Sequence, residues 1–300
     1  MTLRNREIIN LFLELGKVRI TAFVAISSVL GYILPYGRID FSLLFTSIGV
    51  FVLSFGSAAL NQWQEVFPDS LMNRTKNRPL PTNLISRKAG LFISLIAILT
   101  GLLILILNSG FVPFLLGILA IVWYNFIYTP MKMKTPLAVL PGALIGAIPP
   151  AIGWTSAGGL LIEPQLWALA LFFFIWQIPH FWLLLMVYDD DYRRGGFPTL
   201  TNIFSKSQLV RITYAWIIGL VASCFLIPFF GGTKSLLTIS LLIVAGVWLL
   251  LRTKSLLNPK LSDTLLIESK IFRMAFLRLN FFVLIVMMLL TVDKLISNIK

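Results

Sequence analysis

AGLFISLIAILTGLLILILN, residues 89–108, runs for twenty positions without one ionisable side chain. A hydrocarbon layer ~30 Å thick needs about 20 such residues in a helix that rises ~1.5 Å per residue. Comparable stretches recur at Val18–Tyr36, Phe41–Asn61, Phe111–Tyr128, Leu137–Ala157, Gln165–Tyr188, Leu209–Phe230, Ser235–Leu251 and Phe272–Val292, which makes nine with Ala89–Asn108. In lipid only helices and closed barrels satisfy every backbone N–H and C=O, and these runs are too long and continuous for barrel strands. The expected fold is all-α: a polytopic membrane protein with nine transmembrane helices.

Composition agrees. Hydrophobic residues make up 58% of the 300 and charged residues only 12%, with a mean hydropathy of +0.89, whereas a soluble domain carries about 25% charge. The net charge of +13 raises the question of nucleic acid, but the distribution of the basic residues excludes that reading in favour of topology. With a cytoplasmic N-terminus, 21 of the 25 fall on one side: Arg4, Arg6, Lys17 and Arg19, the loops at 74–88, 132–134 and 193–211, and the stretch 252–278. Only Arg38, Lys234, Lys294 and Lys300 remain opposite. This positive-inside bias predicts a cytoplasmic N-terminus and, after an odd number of spans, a C-terminus on the far side. Thr2–Lys17 is amphipathic and charged with no small-residue cleavage site after it, so neither a signal nor a transit peptide is expected. A bacterial inner membrane is the expected location. The single cysteine, Cys224, lies within a span and reads as a small core residue.

Chemistry concentrates in two connections on the basic side. The first reads NQWQEVFPDSLMNRTKNRPLP, residues 61–81. Asn61, Glu65 and Asp69 are spaced i, i+4, i+8, on one face of a helix, although Pro68 is expected to bend or end that helix before Asp69. The second runs from His180-Phe-Trp182 to DDDYRRGGFPTL, residues 189–200. Three adjacent aspartates repel one another at a membrane boundary, and a divalent cation relieves that cost. Hard oxygen ligands suit Mg²⁺, which takes a few carboxylates together with phosphate oxygens. Arg74, Arg78, Arg193 and Arg194 supply the forked donors that fit phosphate. Two acidic, Arg-flanked motifs on one face therefore read as a two-part site for a metal-bound diphosphate with a lipid-soluble remainder, and the chemistry expected is ionisation of an allylic diphosphate. The resulting carbocation needs shelter from water, and a 13% aromatic content offers π faces for it.

With those strings in view, together with YTPMKMKTP at 128–136 and GALIGAIPPAIGW at 142–154, the chain resembles the membrane-embedded prenyltransferases typified by 4-hydroxybenzoate polyprenyltransferase. Within them it is similar to the protoheme IX farnesyltransferases. The resemblance implies nine helices around a central cavity and one prenyltransferase domain over residues 1–300. It implies a catalytic set of Asn61, Glu65, Asp69, Asp190 and Asp191, of which Glu65, Asp69, Asp190 and Asp191 hold Mg²⁺. Arg74, Lys76, Arg78, Tyr192, Arg193 and Arg194 then bind diphosphate. The substrates implied are farnesyl diphosphate and haem B and the product haem O. The implied partners are the lipid bilayer and a haem A synthase or terminal oxidase assembly, with no nucleic acid. His180, the only histidine, and Lys132 and Lys134 are candidate haem contacts, His180 being equally readable as a structural residue and the lysines as topology charges. Gly142, Gly146, Pro149, Pro150 and Gly153 are expected to allow close helix packing or a kink. The alternatives are an aromatic prenyltransferase of the same fold, differing in acceptor, and a transporter with a metal gate. A transporter should carry mid-membrane charges and internal repeats, and the sequence has neither.

Overall fold

The computed structural model describes residues 5–257 and 265–299. Arg4, Lys260 and Lys300, counted in the charge bias, lie outside the described residues, as does the side chain of Arg6. In chain order the helices are α1 (Asn5–Leu15), α2 (Val18–Tyr36), α3 (Phe41–Gln64), α4 (Val66–Leu71), α5 (Arg87–Asn108), α6 (Phe111–Ile121), α7 (Thr129–Lys132) and α8 (Val139–Ser156). There follow α9 (Pro164–Val187), α10 (Asp189–Arg194), α11 (Lys206–Cys224), α12 (Leu226–Phe229), α13 (Leu236–Thr253) and α14 (Leu265–Ile299). A π-helical segment, Val122–Tyr128, joins α6 to α7 without a break. Among the described residues nine helices are long and apolar enough to cross a membrane. They are the nine expected, with α3 running on to Gln64 and the last span, Ser269–Asn298, longer than expected.

The helix ends follow from short polar signals. Gly37 closes α2 in the left-handed region (φ 62°), its N–H bonded to the Ile33 carbonyl at 2.7 Å. Asp40 caps α3 by accepting from the Leu43 N–H at 2.9 Å, and the Tyr32 hydroxyl donates to the same carboxylate. Ser86 caps α5, and Ser205 with Gln208 forms a capping box on α11. Near the end of the longer α3 the Gln62 amide donates to the Glu14 and Leu15 carbonyls and so ties α3 to the end of α1.

The spans form a closed circuit: α2 packs on α3, α3 on α5, α5 on α6, α6 on α8, α8 on α9, and α9 on α11 and α14. Helix α13 packs on α11 and α14, and α14 returns to α2. Because lipid tails are as apolar as leucine, such helices are held by close van der Waals packing, for which small residues leave room. A Cβ on Gly153 of α8 would overlap the Ser28 carbonyl of α2, and one on Gly31 of α2 would overlap the Pro150 carbonyl. The glycines of the fifth span therefore serve close approach, as expected. Outward, Phe92, Ile96, Leu99, Leu103 and Leu107 of α5 form an exposed stripe, an apolar face suited to lipid. The chain is a multi-pass membrane protein.

Candidate active site

Helix α3 delivers Asn61 to one end of the bundle, breaks at Glu65 (φ −107°, ψ 17°) and resumes as α4 with Asp69. Pro68 explains the position of the break, since its ring collides with the carbonyl four residues earlier, that of Gln64. The bend does not destroy the alignment: the Glu65 N–H still donates to the Asn61 carbonyl (3.0 Å) and the Asp69 N–H to that of Glu65 (2.8 Å). All three side chains are buried, at 1%, 3% and 1% exposure.

Each residue of this motif meets a different cation. Asn61 Oδ1 accepts from Lys17 Nζ at 2.8 Å, Glu65 Oε1 pairs with Lys132 Nζ at 2.5 Å, and Asp69 Oδ2 pairs with Arg78 at 2.7 Å. Arg78 is folded back by turns in the loop after α4, which Thr75 anchors by donating to the Asp69 carbonyl. Lys132 arrives from α7, and Lys17 from the turn between α1 and α2, where it adopts φ 49°. Burial, and then repulsion by Arg78 and Lys132, push the Lys17 ammonium down to about 7, against the opposing pull of Glu65 and Asp69. Lys76 is exposed and donates to Asn73, and Lys134 is exposed on the turn beyond α7.

In the second motif α10 sorts the three aspartates. Asp189 accepts from Arg193 Nε (2.9 Å) and from the Thr201 hydroxyl (2.7 Å). Asp191 accepts from the backbone N–H groups of Asn73 (3.1 Å) and Arg74 (3.0 Å), with Arg194 at 3.6 Å. Asp190 is exposed. Asp191 thus joins the two acidic loops, and Arg74 lies over the rings of Tyr188 and Tyr192 at 5.0 and 5.9 Å. Among the described residues no three Asp, Glu, His or Cys side chains are gathered as a ready metal cage.

His180 stands apart from the acids. Its Nδ1 lies 2.8 Å from Asn280 Oδ1, and Asn280 Nδ2 donates to the Phe276 carbonyl, so the imidazole carries its proton on Nδ1. An aromatic chain connects it to the motifs. Tyr124 stacks on Tyr128 (5.8 Å), Tyr128 meets Phe181 (6.2 Å), Phe181 meets His180 (5.5 Å), His180 meets Trp176 (5.0 Å) and Trp176 meets Phe23 (4.9 Å). Lys132 Nζ lies 5.6 Å from the Tyr128 ring, at the motif end of the chain.

The structure adds residues to this region that the sequence reading passed over. Lys17 counted there only as a topology charge. Asp189 entered only as one of an unsorted triplet, Thr201 carried no role, and neither did a buried polar ladder between α3 and the π-helical segment formed by Ser57, Asn61, Gln64, Asn125 and Thr129. Asn125 was the available signal, an amide within an apolar span.

Residues 22–277 match the UbiA prenyltransferase family. The chain is 41% identical over 222 residues to a protoheme IX farnesyltransferase of Geobacter sulfurreducens, covering 73% of this chain and 81% of that protein. It is 30% identical over 285 residues to a protoheme IX farnesyltransferase of Oleidesulfovibrio alaskensis, covering 95% and 96%. Among solved structures, one from work on digeranylgeranylglyceryl phosphate synthase superposes with a TM-score of 0.74 at 16% identity, covering 96% of this chain and 99% of that one. A UbiA homolog from Archaeoglobus fulgidus bound to GPP and Mg²⁺ superposes with a TM-score of 0.66 at 13% identity, covering 92% and 99%. At those identities the structures establish the fold alone.

Proposed function

The chain belongs to the UbiA prenyltransferase family, and on that premise we propose that it transfers a farnesyl group from farnesyl diphosphate to the 2-vinyl group of haem B, with addition of water, giving haem O and diphosphate. The observation that carries this reading is the pairing of two interlocked acid–base loops with an aromatic chain that leads from them into the helix bundle. The protoheme IX farnesyltransferases among its relatives support haem as the acceptor over 4-hydroxybenzoate.

The donor set fits Mg²⁺. Asn61, Glu65, Asp69, Asp190 and Asp191 offer hard oxygens from two adjacent loops, and the buried ones are already neutralised by Lys132 and Arg78. A three-acid cage is not required, because Mg²⁺ binds through one or two carboxylates and completes its shell with phosphate and water oxygens. The chemistry that Mg²⁺ supplies when bound is Lewis-acid neutralisation of the departing diphosphate. Arg74, Lys76, Arg78, Tyr192, Arg193 and Arg194 hold the diphosphate, with Lys17 beside them, and their fixed charges favour the trianion as it leaves. Cleavage of the C–O bond leaves a farnesyl cation, which the faces of Tyr124, Tyr128 and Phe181 shelter from water. The vinyl carbon attacks it, and water adds to the cation created beside the porphyrin ring, losing a proton. His180, with Nε2 free of the proton on Nδ1, is the candidate haem contact. Lys134 is a candidate partner for a propionate, and Lys132, held by Glu65, belongs with the diphosphate end.

In this reading residues 1–300 form one prenyltransferase domain in a bacterial inner membrane, with the N-terminus and both motifs cytoplasmic. A haem A synthase or terminal oxidase assembly consumes the product. The test is mass spectrometry of haems extracted from membranes carrying the protein, supplied with haem B, farnesyl diphosphate and Mg²⁺. Haem O formed only with all three is the expected result. Prenylated 4-hydroxybenzoate in its place would overturn the choice of acceptor.

A further inference from the structure

We propose that Thr129 is a positioning residue of the first acidic motif: set at the end of a π-helical turn, its hydroxyl holds the Asn61 side chain with the carbonyl oxygen, and not the amide nitrogen, turned toward the site. The proposal rests on the reading of Asn61 as a member of that motif.

An asparagine amide is ambiguous where a carboxylate is not. Either oxygen of Glu65 or Asp69 serves a cation equally, but Asn61 turned about its last bond would present two N–H donors to it. Something must choose the orientation. The Thr129 hydroxyl lies 2.8 Å from the Tyr124 carbonyl and 3.0 Å from Asn61 Nδ2. A carbonyl only accepts, so the single hydroxyl proton goes to Tyr124, and toward Asn61 the threonine oxygen can only accept. The NH₂ group therefore faces Thr129 and Oδ1 faces away, toward Lys17 Nζ at 2.8 Å. In its charged form Lys17 only donates, so at the far end of the chain the ammonium favours the same orientation.

The π-helical segment makes this geometry available. The Thr129 N–H reaches back five residues to Tyr124, which turns the hydroxyl onto the same carbonyl and toward α3. One rung deeper, Asn125 locks the two helices in register. Its Oδ1 accepts from Ser57, its Nδ2 donates to the Ser57 carbonyl and to Gln64, and Gln64 donates to the Asn125 carbonyl. Both rungs join residues 68 apart, Ser57 to Asn125 and Asn61 to Thr129, so they read as one ladder between parallel helices. Asn61, Asn125 and Thr129 are all buried, which removes water as a competing partner. The carboxylates of Glu65 and Asp69 bond instead to Lys132 and Arg78, outside this ladder, which addresses the one member whose orientation matters.

The test uses the full chain in detergent, with Mn²⁺ and inorganic pyrophosphate as probes and electron paramagnetic resonance and calorimetry as readouts, alongside haem B binding. Thr129→Val should weaken Mn²⁺–pyrophosphate binding by about tenfold or more, as loss of an outer partner of a metal ligand does. Haem B binding should stay unchanged, and in turnover the loss should fall on KM for farnesyl diphosphate. Thr129→Ser should restore parental binding. If valine prevents folding, Thr129→Ala takes its place with the same outcomes. Parental Mn²⁺–pyrophosphate affinity in the valine variant, or an equal loss of haem B binding, would overturn the proposal. Asn61→Ala separates it from the reading beneath: affinity lost in Asn61→Ala but kept in Thr129→Val overturns Thr129 alone, whereas affinity kept in both removes Asn61 from the motif as well.

Discussion

The two acidic motifs carry the same kinds of side chain and are built in opposite ways. In the first, Glu65 and Asp69 are buried, and Lys132 and Arg78, which pair with them, are themselves mostly buried. In the second, Asp189 and Asp191 pair with Arg193 and Arg194 one helical turn along, and both arginines are about half exposed. A buried ion pair is costly to break, since removing one partner strands a charge away from water. A pair at i, i+3 or i, i+4 whose arginine is half in solvent is screened and contributes less, although its aspartate is mostly buried. The first motif is therefore set in the framework of the bundle with its cations, while the second keeps its arginines half in solvent and is joined to the first through the two backbone bonds to Asp191 and the Arg74 contacts with Tyr188 and Tyr192.

Chemistry is where the difference should vanish. Asp69→Asn and Asp191→Asn should each lower haem O formation by about 10²-fold or more, because charge stabilisation at the departing diphosphate is lost in both. Full activity in both variants, measured on protein correctly inserted in membranes, would sink the two-motif mechanism.

Stability is where it should be widest. Lys132→Met should cost about 3–5 kcal/mol by leaving Glu65 unpaired, and Lys132→Met combined with Glu65→Gln should recover most of it, as read by thermal unfolding in detergent. A single variant as stable as the parent would mean that Glu65 reaches water after all. His180→Ala lies outside both motifs and should weaken haem B binding by about tenfold or more while leaving pyrophosphate binding alone; unchanged haem affinity would return His180 to a structural role. The smallest effect belongs to Arg193→Ala, expected to shift stability by less than about 1 kcal/mol, against several for the equivalent change at Arg78. Equal losses at the two arginines would erase the contrast.

Much of the fold could be read in advance because lipid is a strict solvent. Twenty apolar residues in a row have few other structures open to them, so the nine spans emerged from hydropathy with ends off by a few residues. The acids were legible for the same reason, since Glu65, Asp69 and the triplet at 189–191 stand at the ends of apolar helices where charge is conspicuous. Their partners were not. Lys17 lies 44 residues from Asn61, and Lys132 comes from the far end of another span, so nothing local marks either pair.

The sequence by itself thus determined that the chain crosses a membrane as helices and that its two acidic motifs and most of its bases collect at one end. Both follow from the free energy of moving side chains between water and hydrocarbon, which each residue carries with it. Only the tertiary structure decided which cation meets which oxygen, which aspartate of the triplet joins the loops, and which way the Asn61 amide faces. Those are settled by directional contacts a few ångströms long between segments far apart in the chain, where one π-helical turn redirects a hydroxyl that no periodicity announces.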